Sequence, residues 1–334
     1  MTRPAAHPPH PMPIRWGILA TGWIAERFTD DLKLLSGATV AAVGSRSAEP
    51  AERFAAQYAI PHVHATWQAL AADPDVDVVY VATPHSAHHA AAKLCLDAGK
   101  AVLCEKPFTL DLATAQDLVD TARAKDLFLM EAMWTRTNPA VRRMLELVAD
   151  GAIGEVVAVE ANFGVAGPFG PEHRLRAPEL GGGALLDLGV YPITYAYLFL
   201  GAPTDIRAWA SLYPEGTDAN TGMIFGYPSG AVATLHCGSM GETSQRATVV
   251  GSTGRIEVPA PFFVPDRFTL VRGGEREEFS MPLRGHGMGY EAEEVMRCLR
   301  EGLTESPLMT HEETLSVMST LDTVRAQLGV SYSA

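Results

Sequence analysis

Basic residues and cysteines are both scarce in this sequence. Lysine and arginine together number 26 against 39 aspartates and glutamates, and the net charge is −13. This acidity argues against nucleic acid or an anionic membrane as the main partner, because both bind a basic surface. The four cysteines form no Cys-x-x-Cys pair and no metal-binding spacing with histidine. We therefore expect reduced, buried thiols in a cytoplasmic protein with no metal site.

An uninterrupted apolar run long enough to cross a membrane is also absent. The most apolar stretch, 183–201, contains Asp187 and Pro192 and is predicted to be a buried helix. Residues 1–13 are rich in proline and lack an apolar core, so we interpret them as a disordered extension rather than a signal peptide. No membrane partner is expected.

The 334 residues are enough for two domains. In residues 14–136 short apolar strands alternate with helices, which predicts an α/β fold, a Rossmann doubly wound parallel sheet. Residues 137–334 begin with a helix and continue with several strands between 204 and 281 that have no helices between them. This predicts an α+β domain with a mostly antiparallel, open-faced sheet. An open apolar face needs cover, so a homodimer or homotetramer through this sheet is expected.

The first strand leads directly into a turn and a helix, as a dinucleotide fingerprint requires. Ala20, Gly22 and Ala25 occupy the three glycine positions of G-x-G-x-x-G, so only the middle glycine is kept. The free N–H groups at the start of the helix would bind a pyrophosphate. A partial fingerprint is weak alone, since any such turn can carry a glycine. The expected cofactor contacts here are Ala20, Thr21, Gly22, Trp23 and Ile24.

The end of the second strand indicates which nicotinamide cofactor is used. Ser45 and Arg46 follow this strand, and no acid stands where an NAD site would place one for the ribose hydroxyls. An arginine there accommodates the 2′-phosphate, so NADP is favoured over NAD. The alternative is a surface arginine at a solvated helix start.

A buried strand at 101–104 ends abruptly in Glu105, Lys106 and Pro107. Ligands in parallel sheets bind just beyond the carboxyl ends of the strands. A lysine shielded from solvent there can take part in proton transfer. The alternative for this triplet alone is a surface turn. A neighbouring strand ends in a second turn at the same edge, and its predicted cofactor contacts are Thr83, Pro84, His85 and His88.

The second domain carries one acid and one phenol in an otherwise apolar helix. Asp187 and Tyr191 are four residues apart, so they share one helix face. Burying a carboxylate costs free energy unless it is paired. A pocket containing Lys106 and a polyol hydroxyl would supply partners. The alternative has Asp187 as a helix N-terminal charge and Tyr191 as a core tyrosine bonded to a carbonyl.

Several motifs, taken together and in order, make the chain resemble a known family. They are Gly22 in its turn, Thr83–His88, Glu105–Pro107, Glu131–Arg136 and Gly181–Tyr191. From residue 14 to the C-terminus the chain resembles the glucose-fructose oxidoreductase / inositol dehydrogenase / MocA family. Within it, the chain is most similar to the dimeric dihydrodiol dehydrogenase and NADP-dependent D-xylose dehydrogenase branch.

The resemblance implies roles for particular residues. Lys106 matches the family's lysine beside the nicotinamide, and Asp187 and Tyr191 match its acid and its acid/base position. Many members carry histidine where Tyr191 stands, which disfavours inositol dehydrogenase activity. His88 ends the family's Thr-Pro-Asn-x-x-His turn, although His85 replaces the asparagine. The positions that line the family's sugar pocket are Trp134, Arg136 and Arg174.

These interpretations combine into an expected reaction. A hydride passes between NADP and the carbinol or carbonyl carbon of a sugar, polyol or trans-dihydrodiol. Tyr191 takes or gives the hydroxyl proton, and Lys106 stabilises the phenolate because free tyrosine has a pKa near 10. Asp187 orients the substrate and the lysine. The alternatives are a sugar–sugar oxidoreductase with tightly bound NADP, a ketosugar reductase, and a non-catalytic NADP-binding sensor.

Overall fold

The structure, a computed structural model, describes residues 13–332. Of the predicted disordered extension, residues 1–13, all but Pro13 lie outside the described residues. The chain divides into two units. Unit 1 comprises the residues up to Trp134 together with Leu283–Leu315, and unit 2 comprises Thr135–Pro282 together with the residues from Ser316 onward.

Unit 1 contains six strands and the helices that connect them, within the part of the chain described. The strands are β1 (Ile14–Leu19), β2 (Ala38–Gly44), β3 (His62–His64), β4 (Val78–Val81), β5 (Ala101–Glu105) and β6 (Leu129–Ala132). The helices are α1 (Trp23–Leu32), α2 (Ala48–Tyr58), α3 (Trp67–Ala71), α4 (His88–Asp97) and α5 (Leu112–Ala124), and α8 (Gly289–Arg300) follows much later in the chain.

All six strands of unit 1 are parallel, in the order β3-β2-β1-β4-β5-β6. The order reverses between β1 and β4, and ligands of such sheets bind at the carboxyl ends of the strands beside this switch point. Three aromatic side chains pack in the core: Phe28 lies between Trp16 (5.3 Å between ring centroids) and Tyr80 (3.8 Å). The predicted Rossmann sheet is confirmed.

Side-chain caps begin two of the helices of unit 1. Thr66 accepts the backbone N–H of Ala69 at 3.1 Å, and Asp111 accepts that of Thr114 at 2.8 Å. These bonds satisfy N–H groups that have no partner inside the helix. The caps therefore place α3 and α5 at the ends of their preceding loops.

The segment Leu283–Leu315 differs from the sequence-based division, which put every residue after 136 in the second domain. Here it belongs to unit 1. The buried carboxylate of Asp31, on α1, accepts backbone N–H groups from His286 (2.7 Å), Met288 (2.8 Å) and Gly289 (3.0 Å). A buried aspartate needs several donors, and this loop supplies them. The start of α8 is thereby held on α1.

Unit 2 contains an eight-stranded sheet with helices, within the described chain. The elements are α6 (Pro139–Ala149), β7 (Val156–Gly164), α7 (Val190–Leu200), β8 (Asp205–Leu212), β9 (Asp218–Gly226), β10 (Val232–Gly238), β11 (Ala247–Gly251), β12 (Gly254–Val258), β13 (Arg267–Arg272), β14 (Glu275–Ser280) and α9 (His311–Leu328). The division between the units falls inside α9.

The sheet of unit 2 has the order β14-β13-β12-β11-β7-β10-β9-β8. Only the β7–β10 pair is parallel, and the other neighbouring pairs are antiparallel. One face buries residues such as Val159, Phe225 and Leu235, while the other exposes Trp209 (72%) and Ile224 (55%). Alternation along the strands produces this difference. The predicted mostly antiparallel, open-faced sheet is confirmed.

The apolar helix around Asp187 is not a continuous α-helix. Residues Leu185–Gly189 form a π-helical turn that continues directly into α7. The stretch Pro178–Leu200 is long and apolar enough by composition to cross a membrane, but 83% of its most apolar window is buried inside the protein. Such burial is typical of a core helix, which is what the sequence indicates.

Candidate active site

The turn after β1 has room for a phosphate. Gly22 precedes α1, and a Cβ placed on it would meet no atom within 4 Å. The first N–H groups of α1 have no acceptor within the helix, so they are available to an anion. Ala20, at the first glycine position, has φ = 93°, a conformation that glycine adopts more easily. The turn therefore fits a dinucleotide pyrophosphate, with some backbone strain at Ala20.

Two cationic side chains flank this turn. Trp23 is 61% exposed, and the guanidinium of Arg27 lies 4.4 Å from its ring centroid. Arg46 is exposed after the end of β2, and the preceding Ser45 donates its backbone N–H to the carbonyl of His64 at 3.2 Å. An exposed arginine at this position is available to a 2′-phosphate.

His88 joins the turns that follow β4 and β5. Its side chain is fully buried, with Nδ1 2.8 Å from the carbonyl oxygen of Pro107 and Nε2 2.9 Å from that of Thr83. Burial, reinforced by the charge of His85, lowers the pKa of His88 to about 4, although the two carbonyl acceptors oppose this shift. The sequence predicted a cofactor contact for His88. That contact stays a prediction; in the structure both ring nitrogens lie within hydrogen-bond distance of protein carbonyls, so His88 bridges the two turns.

Glu105 also faces the protein interior. It is 6% exposed, it accepts a hydrogen bond from the hydroxyl of Tyr80, and it accepts the backbone N–H of Lys106 at 3.1 Å. Glu131, at the end of β6, is buried and accepts the N–H of Phe108 at 3.1 Å. The two carboxylates hold the backbone on either side of Lys106, whose side chain is half-buried.

The predicted sugar-pocket residues lie in different environments. Trp134 is half-buried at the end of unit 1, and Arg136 is buried in unit 2. Thr135, between them, donates its hydroxyl to the carbonyl of Phe263 at 2.6 Å, and Asn138 donates its side-chain amide to the carbonyl of Pro265 at 3.1 Å. These bonds hold the start of unit 2 against the loop before β13.

Asp187 has an arginine partner. Its side chain is almost completely buried, and its Oδ2 lies 2.6 Å from Nη1 of Arg174, whose side chain is 56% exposed. The loop that carries Arg174 is held by Arg176, which donates to both carboxylate oxygens of Glu215 at 2.8 Å and to the carbonyl of Phe169 at 2.7 Å. The cost of burying the Asp187 carboxylate is therefore offset partly by Arg174.

Tyr191 lies against two phenylalanines. Its ring centroid is 4.8 Å from that of Phe263 and 5.6 Å from that of Phe163, and these two rings stack at 4.4 Å. Tyr191 is only 5% exposed. The sequence did not single out either phenylalanine, because they come from the end of β7 and from a loop about a hundred residues later. The Phe163 and Phe263 rings limit the rotation of the Tyr191 phenol.

The structure thus assembles the predicted residues in two groups, each within one unit. In unit 1 the ends of β1, β2, β4 and β5 carry the predicted cofactor contacts. In unit 2 Arg174, Asp187 and Tyr191 lie on one loop and one helical segment. A π-helical turn often marks a functional position, and here it contains Asp187.

One further cluster in unit 1 was not predicted. His62, His64 and Asp73 place three potential metal ligands within 4.8 Å of one another. Both imidazoles lie 2.8 Å from the same oxygen, Oδ2 of Asp73, which is shorter than the roughly 3.3 Å between ligands of a tetrahedral zinc. Lys100 also donates to the carbonyl of Asp73, at 2.5 Å. We interpret the cluster as a hydrogen-bonded link between β3 and the loop before β4.

Comparison with protein families identifies both parts of the chain. Residues 14–133 match the model of an oxidoreductase family with an NAD-binding Rossmann fold. Residues 141–257 match the model of the GFO/IDH/MocA C-terminal domain.

Individual relatives cover nearly the whole chain. A trans-1,2-dihydrobenzene-1,2-diol dehydrogenase of Sus scrofa is 37% identical over 96% of this chain and 98% of its own. A D-xylose 1-dehydrogenase (NADP(+)) of Hypocrea jecorina is 39% identical over 97% of this chain and 94% of its own. The crystal structure of KijD10, a 3-ketoreductase from Actinomadura kijaniata in complex with NADP and TDP-benzene, superimposes with a TM-score of 0.85 at 30% identity. That match covers 95% of this chain and 98% of KijD10.

Proposed function

Because the chain belongs to the Gfo/Idh/MocA oxidoreductase family, we propose that Lys106, Asp187 and Tyr191 serve one hydride-transfer reaction on a small sugar, polyol or trans-dihydrodiol. The protein is an oxidoreductase that acts on CH–OH groups and uses NADP. The observation that carries the residue assignment is the buried Asp187, paired with Arg174 at 2.6 Å, on the segment that also bears Tyr191.

The chemistry divides between the cofactor and the protein. NADP, when bound, accepts or supplies the hydride at the carbinol carbon. Tyr191 takes the hydroxyl proton during oxidation and returns it during reduction. The positive charge of Lys106 stabilises the oxyanion that forms. Asp187 accepts hydrogen bonds from substrate hydroxyls, and the exposed guanidinium of Arg174 contributes further donors.

The surroundings of Tyr191 support a substrate with an apolar ring face. Phe163 and Phe263 cover one side of the phenol. Such a surface packs against the carbon face of a pyranose or against a dihydrobenzene ring, while Asp187 and Arg174 bind hydroxyls. A pentose and a cyclic trans-diol, which are the substrates named for two relatives, both satisfy this description.

The test compares two catalytic variants with a matched control. We expect Tyr191→Phe and Lys106→Met each to reduce kcat by at least about a hundredfold, since general acid–base catalysis contributes that much. NADPH binding, followed by its fluorescence, should persist in Tyr191→Phe. The control is Tyr195→Phe, one turn further along α7, where the hydroxyl contacts only Met144 Sδ at 3.7 Å within the described chain. Near-normal turnover in either catalytic variant would refute the assignment.

The substrate class is tested by a direct screen. Aldoses, inositols and trans-diols are assayed with NADP⁺ and with NAD⁺. Oxidation of an aldose or a trans-diol with NADP⁺ is expected. The relatives do not favour a sugar–sugar oxidoreductase with tightly bound NADP, or a non-catalytic sensor. Absence of turnover with every substrate would count against the proposal.

The exposed face of the unit 2 sheet supports a homodimer or homotetramer. Trp209, Ile224 and Val232 lie on neighbouring strands of that face, with 72%, 55% and 42% exposure. Apolar surface of this kind, with Met240 (64%) beside it, is typical of a protein–protein interface. All four cysteines are buried and unpaired, which supports a reducing compartment such as the cytoplasm.

A further inference from the structure

Asp218, the first residue of β9, is a buried carboxylate next to the helical segment that bears Asp187 and Tyr191. It is 0% exposed. Its Oδ2 accepts the backbone N–H of Leu185 at 2.7 Å and the hydroxyl of Thr221 at 2.7 Å. Its Oδ1 is buried and has no hydrogen-bond partner among residues 13–332. Sequence patterns gave no reason to select this residue.

The bond to Leu185 satisfies a donor at the start of the helical segment. Leu185 begins the π-helical turn, and its N–H belongs to the first turn, where backbone donors have no acceptor within the helix. A negative charge here also interacts favourably with the helix dipole. Asp187 follows two residues later, so the position of its side chain depends on this first turn.

The absence of a side chain at Gly183 leaves space for the carboxylate of Asp218. Gly183 has φ = 115°, and a Cβ at that residue would lie 2.4 Å from Oδ1 of Asp218. Tyr332 donates its hydroxyl to the carbonyl of the adjacent Gly182 at 2.5 Å, which also fixes the glycine turn. Only a glycine can occupy position 183 while Asp218 remains in place.

Burial makes the ionised form of Asp218 costly. Desolvation raises the pKa of Asp218 to about 6, although Thr221 and the N–H of Leu185 oppose the shift. The titratable groups that face it are the thiol of Cys237 on β10 and the phenol of Tyr332, and burial raises the pKa of both. Arg325 lies over the Tyr332 ring, 5.1 Å from its centroid.

We propose that Asp218 is a positioning residue, whose carboxylate anchors the first turn of the segment that carries Asp187 and Tyr191. This inference rests on the proposed function, in which those two side chains act on the substrate. A charge-assisted hydrogen bond is about twice as strong as a neutral one, so protonation loosens the anchor. We therefore expect kcat to fall at acid pH as Asp218 becomes protonated, which gives the pH profile an acid limb.

The experiment compares the wild type with Asp218→Asn, which has the same shape without the charge. Steady-state kinetics from pH 5 to pH 9 should show a wild-type kcat that falls below about pH 6. In Asp218→Asn, kcat should be about fivefold to tenfold lower at pH 8 and should lack this limb. The KM for NADP⁺ should not change, because the predicted cofactor contacts lie in unit 1. The thermal midpoint at pH 8 should equal or exceed that of the wild type, because a costly buried charge is removed.

Thr221→Val is the matched control. It removes the other bond to Oδ2 but leaves Leu185 N–H paired, so a smaller fall in kcat and a retained acid limb are expected. The positioning role is overturned if Asp218→Asn keeps the wild-type kcat and pH profile. It is also overturned if the fall in kcat is accompanied by a lower thermal midpoint, because the effect would then be one of stability. Tyr191→Phe separates the two proposals. If it is active, the proposed function fails, whereas if it is inactive and Asp218→Asn is normal, only the positioning role fails.

Discussion

The hydrogen bonds of Asp73, which link β3 to the loop before β4, should stabilise the protein by an amount that depends on pH. Asp73 is 5% exposed, and its Oδ2 accepts from His62 and His64 while its Oδ1 accepts the N–H of Asp75 at 2.8 Å. Burial alone would raise the pKa of Asp73. The hydrogen bonds from His64, the Asp75 N–H and His62 outweigh it and hold the pKa at about 2, against an ordinary value of 3.8.

The difference in pKa between the unfolded and folded states converts to free energy. A pKa of about 2 for Asp73 in the folded protein, against 3.8 ordinarily, corresponds to roughly 2 kcal/mol of stability at neutral pH. Because the folded value is lowered, this stability is present above pH 4 and is lost as the pH falls from about 4 to about 2. Asp73→Asn should therefore unfold about 4–8 °C below the wild type at pH 7. At pH 3 the difference should be about half as large.

Thermal unfolding, followed by circular dichroism at pH 7 and pH 3, measures both quantities. Asp75→Asn is the matched control, because that carboxylate is 57% exposed and pairs with Arg15 at the surface. Exposed pairs contribute about 0–1 kcal/mol, so the control should change the midpoint little. If Asp73→Asn melted with the wild type at pH 7, or if its deficit did not change with pH, the hydrogen-bonded link would not be stabilising.

Two further predictions concern the cofactor and the assembly. Arg46→Ala should raise the KM for NADP⁺ by about tenfold to a hundredfold, because a charged hydrogen bond to phosphate is lost, while the KM for NAD⁺ serves as the control and should hardly change. An equal effect on both cofactors would contradict a 2′-phosphate contact. Trp209→Glu should lower the molar mass measured by light scattering, whereas Val63→Glu, at a 40% exposed residue of unit 1, should not. A wild-type monomer would refute the sheet interface.

Local patterns were sufficient for most of the fold. Alternation of apolar strands with helices predicted the parallel sheet, because each crossover must cover a face of it. The strand β3 was missed, since its three residues carry two histidines and no apolar run. Its presence depends on pairing with β2 and on Asp73.

The sequence predicted the residues of the candidate site and their joint role, but not the side-chain contacts that hold them. Lys106, Asp187 and Tyr191 were selected because charged or phenolic side chains stand out in apolar surroundings. The pairing of Asp187 with Arg174 and the stacking of Phe263 beside Tyr191 were not, because each joins residues with no regular spacing. The π-helical turn was also missed, since no local pattern in Leu185–Gly189 distinguishes it from an α-helix.

The sequence by itself determined most of the strands and helices, because burial periodicity and capping are local properties. It also predicted which strand ends carry chemistry, and that remains a prediction. Only the tertiary structure decided that His88 bridges two turns, that Asp31 draws the start of α8 into unit 1, and that Asp218 supports the segment bearing Asp187. Each of these is a buried polar group, and leaving such a group unpaired costs free energy. Its hydrogen-bond partners come from distant parts of the chain, so they follow from the tertiary structure and not from local sequence.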